Sequence, residues 1–292
     1  MKYKKISFKS FVQLIPTSIK DLNKKNPLQL ASSTAFFGIL SIPPILVILV
    51  STLGIFIKPS YLNNQIFNRL TVMMGDTGTS ELKNVFLSFN ELADDTWASI
   101  GVFAFLLFIG TNLFFLIEMN INQLWDVPSK SNTNFVQHLK GRLTSIVLLL
   151  IGASIIILAL VLETVVSFIG DQIIFILPAL EEYVVPVLSQ LFSFITFCLW
   201  FMFLYKFLPN ASLKWNPAIV GGLFMALLFK LGQLVISNIL INGSIKSVFS
   251  ASGSIVLVML FIFYTSFIFY FVAMFLKKYC ELRGIEIEAK VE

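Results

Sequence analysis

Residues 217–241 read PAIVGGLFMALLFKLGQLVISNILI and carry one charged side chain, Lys230. A continuous apolar run of that length forms a helix long enough to cross a hydrocarbon core ~30 Å thick, at ~1.5 Å per residue. A barrel strand would be about half as long and would alternate apolar with polar positions. The stretch therefore predicts a transmembrane helix, and five others resemble it: Thr34–Ile57, Trp97–Met119, Leu143–Gly170, Val187–Leu208 and Ser254–Leu276. With Pro217–Ile241 they make an expected all-α, polytopic membrane protein of six transmembrane helices with amphipathic interfacial helices.

Composition agrees. The chain has 292 residues, of which 57% are hydrophobic and 13% charged, with mean hydropathy +0.87. A soluble domain has about 45–50% apolar and about 25% charged residues. The 31 Phe exceed what one water-soluble core of this size would bury. The net charge of +5 does not point to nucleic acid, because the basic residues cluster between apolar runs instead of forming a stripe. Two cysteines, Cys198 and Cys280, and one histidine, His138, leave no metal site and no His-based catalytic set. No cofactor and no enzymatic activity are expected, since Walker, HExxH, GxSxG and post-strand GxGxxG motifs are all missing.

Counting Lys and Arg orients the spans. Sixteen of the 21 fall on the side that holds residues 1–33, 120–142, the fourth-to-fifth connection with Lys206 and Lys214, and the tail from 277, whereas Lys58, Arg69, Lys83 and Lys246 fall opposite and Lys230 lies within a span. Both termini are thus expected in the cytoplasm. Three parts follow: a basic cytoplasmic segment 1–33 with an interfacial helix, a membrane domain 34–276, and a charged cytoplasmic tail 277–292. In the first, Phe8, Phe11, Val12, Ile15, Ile19 and Leu22 recur at helical spacing, and Pro16 is expected to break the helix. Outside, Leu82, Val85, Phe86, Phe89 and Leu92 predict an amphipathic helix capped by Ser80. Residues 171–186 predict a short helix or re-entrant piece interrupted by Pro178, with Glu181 and Glu182 on a short outer loop.

Ionisable groups inside a membrane are costly and mark candidate sites. Lys230 lies near mid-span, on one helical face with Gly222 and Ala226, and Gln233 follows about a turn on. The small residues admit a neighbouring helix, so Lys230 and Gln233 are expected to face the bundle or a wet cavity. Lys230 either pairs structurally with a carboxylate or carbonyls, or meets a substrate. Glu163 and Glu118 are the candidate partners, and Asn112 adds a polar group near Glu118. Pro43 and Pro44 fall mid-span and are expected to kink or break the first helix. Their freed carbonyls near Ile39 and Leu40 would then be taken up by Ser41, water or another helix.

Four stretches carry a family resemblance. They are ASSTAFFGILSIPPILVILVSTLG, with Ala35, Phe36, Leu40, Ser41 and Pro44; NINQLWDV, with Asn122, Leu124 and Trp125; LYKFLPNASLKWNPAIVGG, with Tyr205, Pro209, Trp215, Ala218 and Gly221; and SASGSIVLVMLFIFYTS at the sixth span. In that order among six spans they resemble the YihY / virulence factor BrkB family of bacterial inner-membrane proteins. The chain departs from the family at Phe249–Ser250, where a Tyr-Gly pair is usual, and at Val272–Ala273–Met274, where Gly-Ala-Glu is common. The resemblance implies multi-pass localisation in the bacterial inner membrane and, with membrane lipids as partners, transporter-like handling of a lipidic or lipid-linked solute. A non-catalytic scaffold for envelope partners is the alternative, and a homo-oligomer is compatible with either. Members have also been labelled ribonucleases; one His and no cytoplasmic carboxylate cluster speak against that activity here, and no nucleic-acid partner is expected.

Overall fold

The computed structural model describes residues 8–53, 96–127, 178–241 and 253–290, with scattered positions from 67 to 87 and from 145 to 168. The described helices are α1 (Phe8–Asn23), α2 (Pro27–Leu53), α3 (Thr96–Trp125), α4 (Pro178–Phe207), α5 (Trp215–Ile241) and α6 (Gly253–Arg283). A two-residue strand β1 (Ala211–Ser212) pairs antiparallel with β2 (Glu288–Ala289), so Ala211 faces Ala289 and Ser212 faces Glu288. Among the described residues four helices hold stretches long and apolar enough to cross a membrane: Pro27–Ile48, Pro186–Phe207, Trp215–Val235 and Val258–Arg283.

Of the third expected span, the described positions between 145 and 168 are helical, and Leu148 is fully buried. A Cβ at Gly152 would sit 3.0 Å from the Trp200 ring, which places this segment against α4. Ser80, Lys83, Asn84 and Leu87 are helical, whereas Leu82, Val85, Phe86, Phe89 and Leu92 lie outside the described residues. So do Glu163, His138 and Phe249–Ser250.

Several expected boundaries are corrected. α1 runs unbroken through Pro16 and packs on the end of α6, with the Phe11 ring edge-on to Phe275 at 5.4 Å and to Tyr279 at 6.4 Å. α2 begins at Pro27, where proline suits the first helical position. There Asn26 (φ 51°) turns the chain and its C=O accepts the N–H of Gln29 and Leu30. α2 also continues through Pro43 and Pro44. A contact explains the tolerance: Pro44 is buried, and Gly110 of α3 lies against Pro44, Ile45 and Ile48. Ser41 does not serve the carbonyls of its own helix, since its Oγ donates to Ile109 C=O of α3 at 3.4 Å. The described part of α4 runs from Pro178, and Glu181 and Glu182 belong to that helix, not to a loop; residues 171–177 lie outside the described residues. The tail from 277 continues α6 to Arg283, turns at Gly284 (φ 66°) and folds back to form β2.

The core is aromatic and aliphatic. Tyr205 stacks on Phe269 at 4.6 Å with 10° between the rings, and Phe197 and Phe201 of α4 close on Phe229 of α5. Two glycine faces let α5 serve two neighbours. A Cβ at Gly222 would lie 2.6 Å from Cys198 O of α4, and one at Gly221 would lie 2.5 Å from Leu276 Cδ1 of α6. Gly232 sits beneath the ring of Tyr264, whose hydroxyl donates to Leu228 C=O at 3.0 Å. Small residues at helix crossings are how apolar helices approach closely without a hydrophobic driving force between them.

Candidate functional site

Lys230 and Glu118 are not brought together. Lys230 lies near the middle of α5 and Glu118 near the end of α3, each with polar partners of its own. The face holding Gly222, Ala226 and Lys230 packs on α4 as its spacing requires, with Ala226 fully buried. There Lys230 Nζ donates to Gln190 Oε1 at 3.0 Å and to Ser193 Oγ at 3.1 Å, and lies 5.7 Å from the Phe197 ring centroid. Among the described residues its partners are thus an amide oxygen, a hydroxyl and a ring face, while the candidate Glu163 lies outside them. Gln190, Ser193 and Phe197 stand at i, i+3 and i+7 in the fourth span, a pattern that could have been read from the sequence. Gln233 does not face the bundle but is exposed.

The surroundings of Lys230 are apolar and open. Val187 is 65% exposed, Leu191 50%, Leu231 49% and Leu234 60%. An ammonium has three donors, and two are used here. Among the described residues the third has no partner, and Gln190 and Gln233 are both exposed beside these apolar side chains.

The second cluster closes the end where α3 and α4 finish. Glu118 is 5% exposed, and its Oε1 accepts from Asn210 Nδ2 at 2.5 Å. Asn122 Oδ1 accepts the N–H of Asn210 at 3.0 Å, and the Asn210 C=O accepts the N–H of Lys290 at 3.0 Å. Lys290 Nζ then donates to Pro209 C=O at 2.7 Å and to Phe207 C=O at 3.2 Å. A cation on the last carbonyls of a helix is favourable because they carry its negative dipole end. Burial still pulls the Lys290 ammonium below its ordinary range. Asn112, partly buried in α3, lies nearly two turns before Glu118.

The remaining motif residues build this end. Trp125 Nε1 donates to Ala273 C=O at 2.8 Å, and Tyr205 OH donates to Phe269 C=O at 2.9 Å. Asn120 Nδ2 donates to Tyr270 OH at 2.8 Å, and that hydroxyl and Thr34 Oγ1 share a hydrogen bond at 2.6 Å. Trp215 is 49% exposed beneath Lys206 Nζ and edge-on to Phe203 and Phe207. Asp126 ties Lys25 to Lys277, each at 2.5 Å, and those two ammonium groups hold its carboxyl below the usual range. Lys24 and Lys278 do the same for Asp21. Met274, where the resemblance leads one to expect an acid, is 2% exposed between fully buried Ala273 and Phe275. Among the described residues no group of His, Cys, Asp and Glu could hold a metal ion.

Comparison with known proteins fits this arrangement. The chain is 27% identical over 211 residues to a UPF0761 membrane protein of Vibrio vulnificus strain YJ016, and equally to one of strain CMCP6. Each match covers 70% of this chain and 61% of the relative, so the chain spans about three fifths of the relatives' length. No solved structure matches. The family model described as virulence factor BrkB matches residues 18–278, which takes in α1 from Ser18, Lys230 with its partners, Glu118 with Asn122 and Asn210, and all but the end of α6; the chain is a membrane protein of the virulence factor BrkB family.

Proposed function

We propose that this protein sits in the bacterial inner membrane with six spans and both termini in the cytoplasm, and handles a lipidic or amphipathic solute in a transporter-like way without covalent chemistry. One observation carries the reading. At membrane depth Lys230 is held, among the described residues, by neutral partners, so its charge is not neutralised, and it opens onto exposed apolar side chains. A lysine at that depth costs at least ~2.5 kcal/mol on insertion scales, which an anionic group from an amphipathic solute would offset. Membrane lipids are then the nearest partners.

The direct test is reconstitution. Purified protein in vesicles should speed transfer of a fluorescent anionic amphiphile between leaflets relative to protein-free vesicles, and equal rates would remove the proposal. Its topology is tested separately. Reporter fusions at Gly75, Pro178 and Ser247 should read external, and fusions at Asn132, Ser212 and Glu288 internal. A single loop on the wrong side would break the six-span arrangement.

A second reading has its own support. Asn122, Trp125, Tyr205 and Gly221 all make packing or backbone contacts, which suits a rigid scaffold for envelope partners. Reconstitution separates the two, because a scaffold alone moves nothing.

A further inference from the structure

The carboxyl group of Glu118 is built in an unusual way. Asn210 is clamped from both sides, its N–H given to Asn122 Oδ1 and its C=O taken by the N–H of Lys290. That fixes its NH2 on Glu118 Oε1 at 2.5 Å. Glu118 Oε2 is buried and has no hydrogen-bond partner. An acid retained purely for packing normally has both oxygens satisfied, because a carboxylate is acceptor-only and a bare buried oxygen is costly.

One cation faces this carboxyl group, but neither it nor any other is bonded to the buried oxygen. Lys290 of the returning tail faces Glu118 electrostatically while its Nζ is turned to Pro209 C=O and Phe207 C=O. Lys206, in the last turn of α4, is turned to the Leu213 C=O. Lys277 of α6 and Lys25 beside α2 are both paired with Asp126, two turns further along the chain. Thr34 of α2 and Tyr270 of α6 bond each other and Asn120. Lys214 follows β1 on the same loop.

We infer that Glu118 is a reversible proton-binding site at the end of the bundle closed by the C-terminal tail. Taking a proton onto the bare oxygen removes an uncompensated buried charge. Losing it restores the attraction to Lys290. The unbonded, buried Oε2 is the atom that takes the proton, and Lys290 is the cation that faces it. The tail carries that cation, so residues 285–290 set how readily the site takes a proton. This stands independently of the transport reading; if the protein moves a solute, Glu118 is where a proton would join that cycle.

N,N′-dicyclohexylcarbodiimide tests the site. It enters apolar surroundings and adds to a protonated carboxyl group, not to a carboxylate, giving a stable N-acylurea that peptide mass mapping locates. Full-length protein in detergent should carry the adduct on Glu118 in acid, with labelling falling several-fold as pH is raised through neutral to alkaline. Lys290→Met removes the facing cation, so its labelling should exceed the wild type at the same neutral pH. Absence of a Glu118 adduct at every pH, or labelling that does not change with pH, would overturn the inference. So would equal labelling in a folded Lys290→Met protein. The wild-type measurement needs no variant to fold, and its outcome does not depend on whether any lipid is moved.

Discussion

Gly222→Val should yield little folded protein, and what is recovered should melt far below the wild type in detergent. The obstacle is backbone. A Cβ at residue 222 would sit 2.6 Å from Cys198 O and 3.0 Å from Met202 N, and neither can swing aside as a side-chain tip would. Room can be made only by parting α4 and α5 along their contact, which uncovers Ala226 and draws Lys230 away from Gln190 and Ser193. Overpacking a tight site costs about 1–3 kcal/mol and occasionally more, and a backbone obstacle puts this variant at the upper end. Gly232→Ala meets a ring, that of Tyr264, and should cost less because a side chain can shift. Gly101→Ala has nothing within 4 Å and should be neutral or slightly stabilising, since alanine favours helix by up to ~1 kcal/mol. Thermal midpoints in that order would bear out the α4–α5 crossing, and a Gly222→Val protein as stable as Gly101→Ala would disprove it.

What the sequence discloses about this fold follows from which forces are local. A run of apolar residues announces a helix wherever it occurs, so the cores of α2, α4, α5 and α6 are readable from hydropathy. Their ends are not. The bilayer sets the length of an apolar run, but a helix continues as long as its backbone bonds and neighbours allow. α6 therefore runs on through Lys277 and Lys278 to Arg283, and α3 runs past Met119 to Trp125. Pro43 and Pro44 mislead for the same reason, since the loss of two donors is local while the packing of Pro44 on Gly110 is not. Glu118 and Lys230 stand out as ionisable groups in apolar surroundings. Their partners come from far along the chain: Asn210 is 92 residues from Glu118, and Gln190 is 40 from Lys230. The returning tail is the least legible feature. It rests on a two-residue pairing and on Lys290 reaching the end of α4, and neither leaves a periodic trace.

Lys230→Met should fold, keep its thermal midpoint within a few degrees of the wild type or exceed it, and lose most amphiphile transfer. Stability is expected to survive because of what the lysine touches. Removing one member of a buried ion pair strands the other charge and costs ~3–5 kcal/mol. Here the described partners are the Gln190 amide and the Ser193 hydroxyl, so the substitution leaves a carbonyl oxygen and a hydroxyl without a donor, and Gln190 is exposed. The loss is then ~1 kcal/mol, set against removal of an ammonium that costs ~2.5–3.5 kcal/mol to hold at membrane depth. Binding should respond the other way. A hydrogen bond from a charged donor to an anionic group contributes ~1.5–3 kcal/mol, which is roughly a tenfold to hundredfold loss of affinity when the charge goes. Lys230→Arg keeps the charge but changes its shape, so it should retain part of the transfer that Met abolishes. The decisive comparison sets transfer in vesicles beside thermal midpoints for the wild type and both variants. If Lys230→Met moves the amphiphile at the wild-type rate but melts several degrees lower, Lys230 holds α4 to α5 and nothing else. The open apolar surround would then be ordinary lipid-facing helix, and the scaffold reading would take precedence.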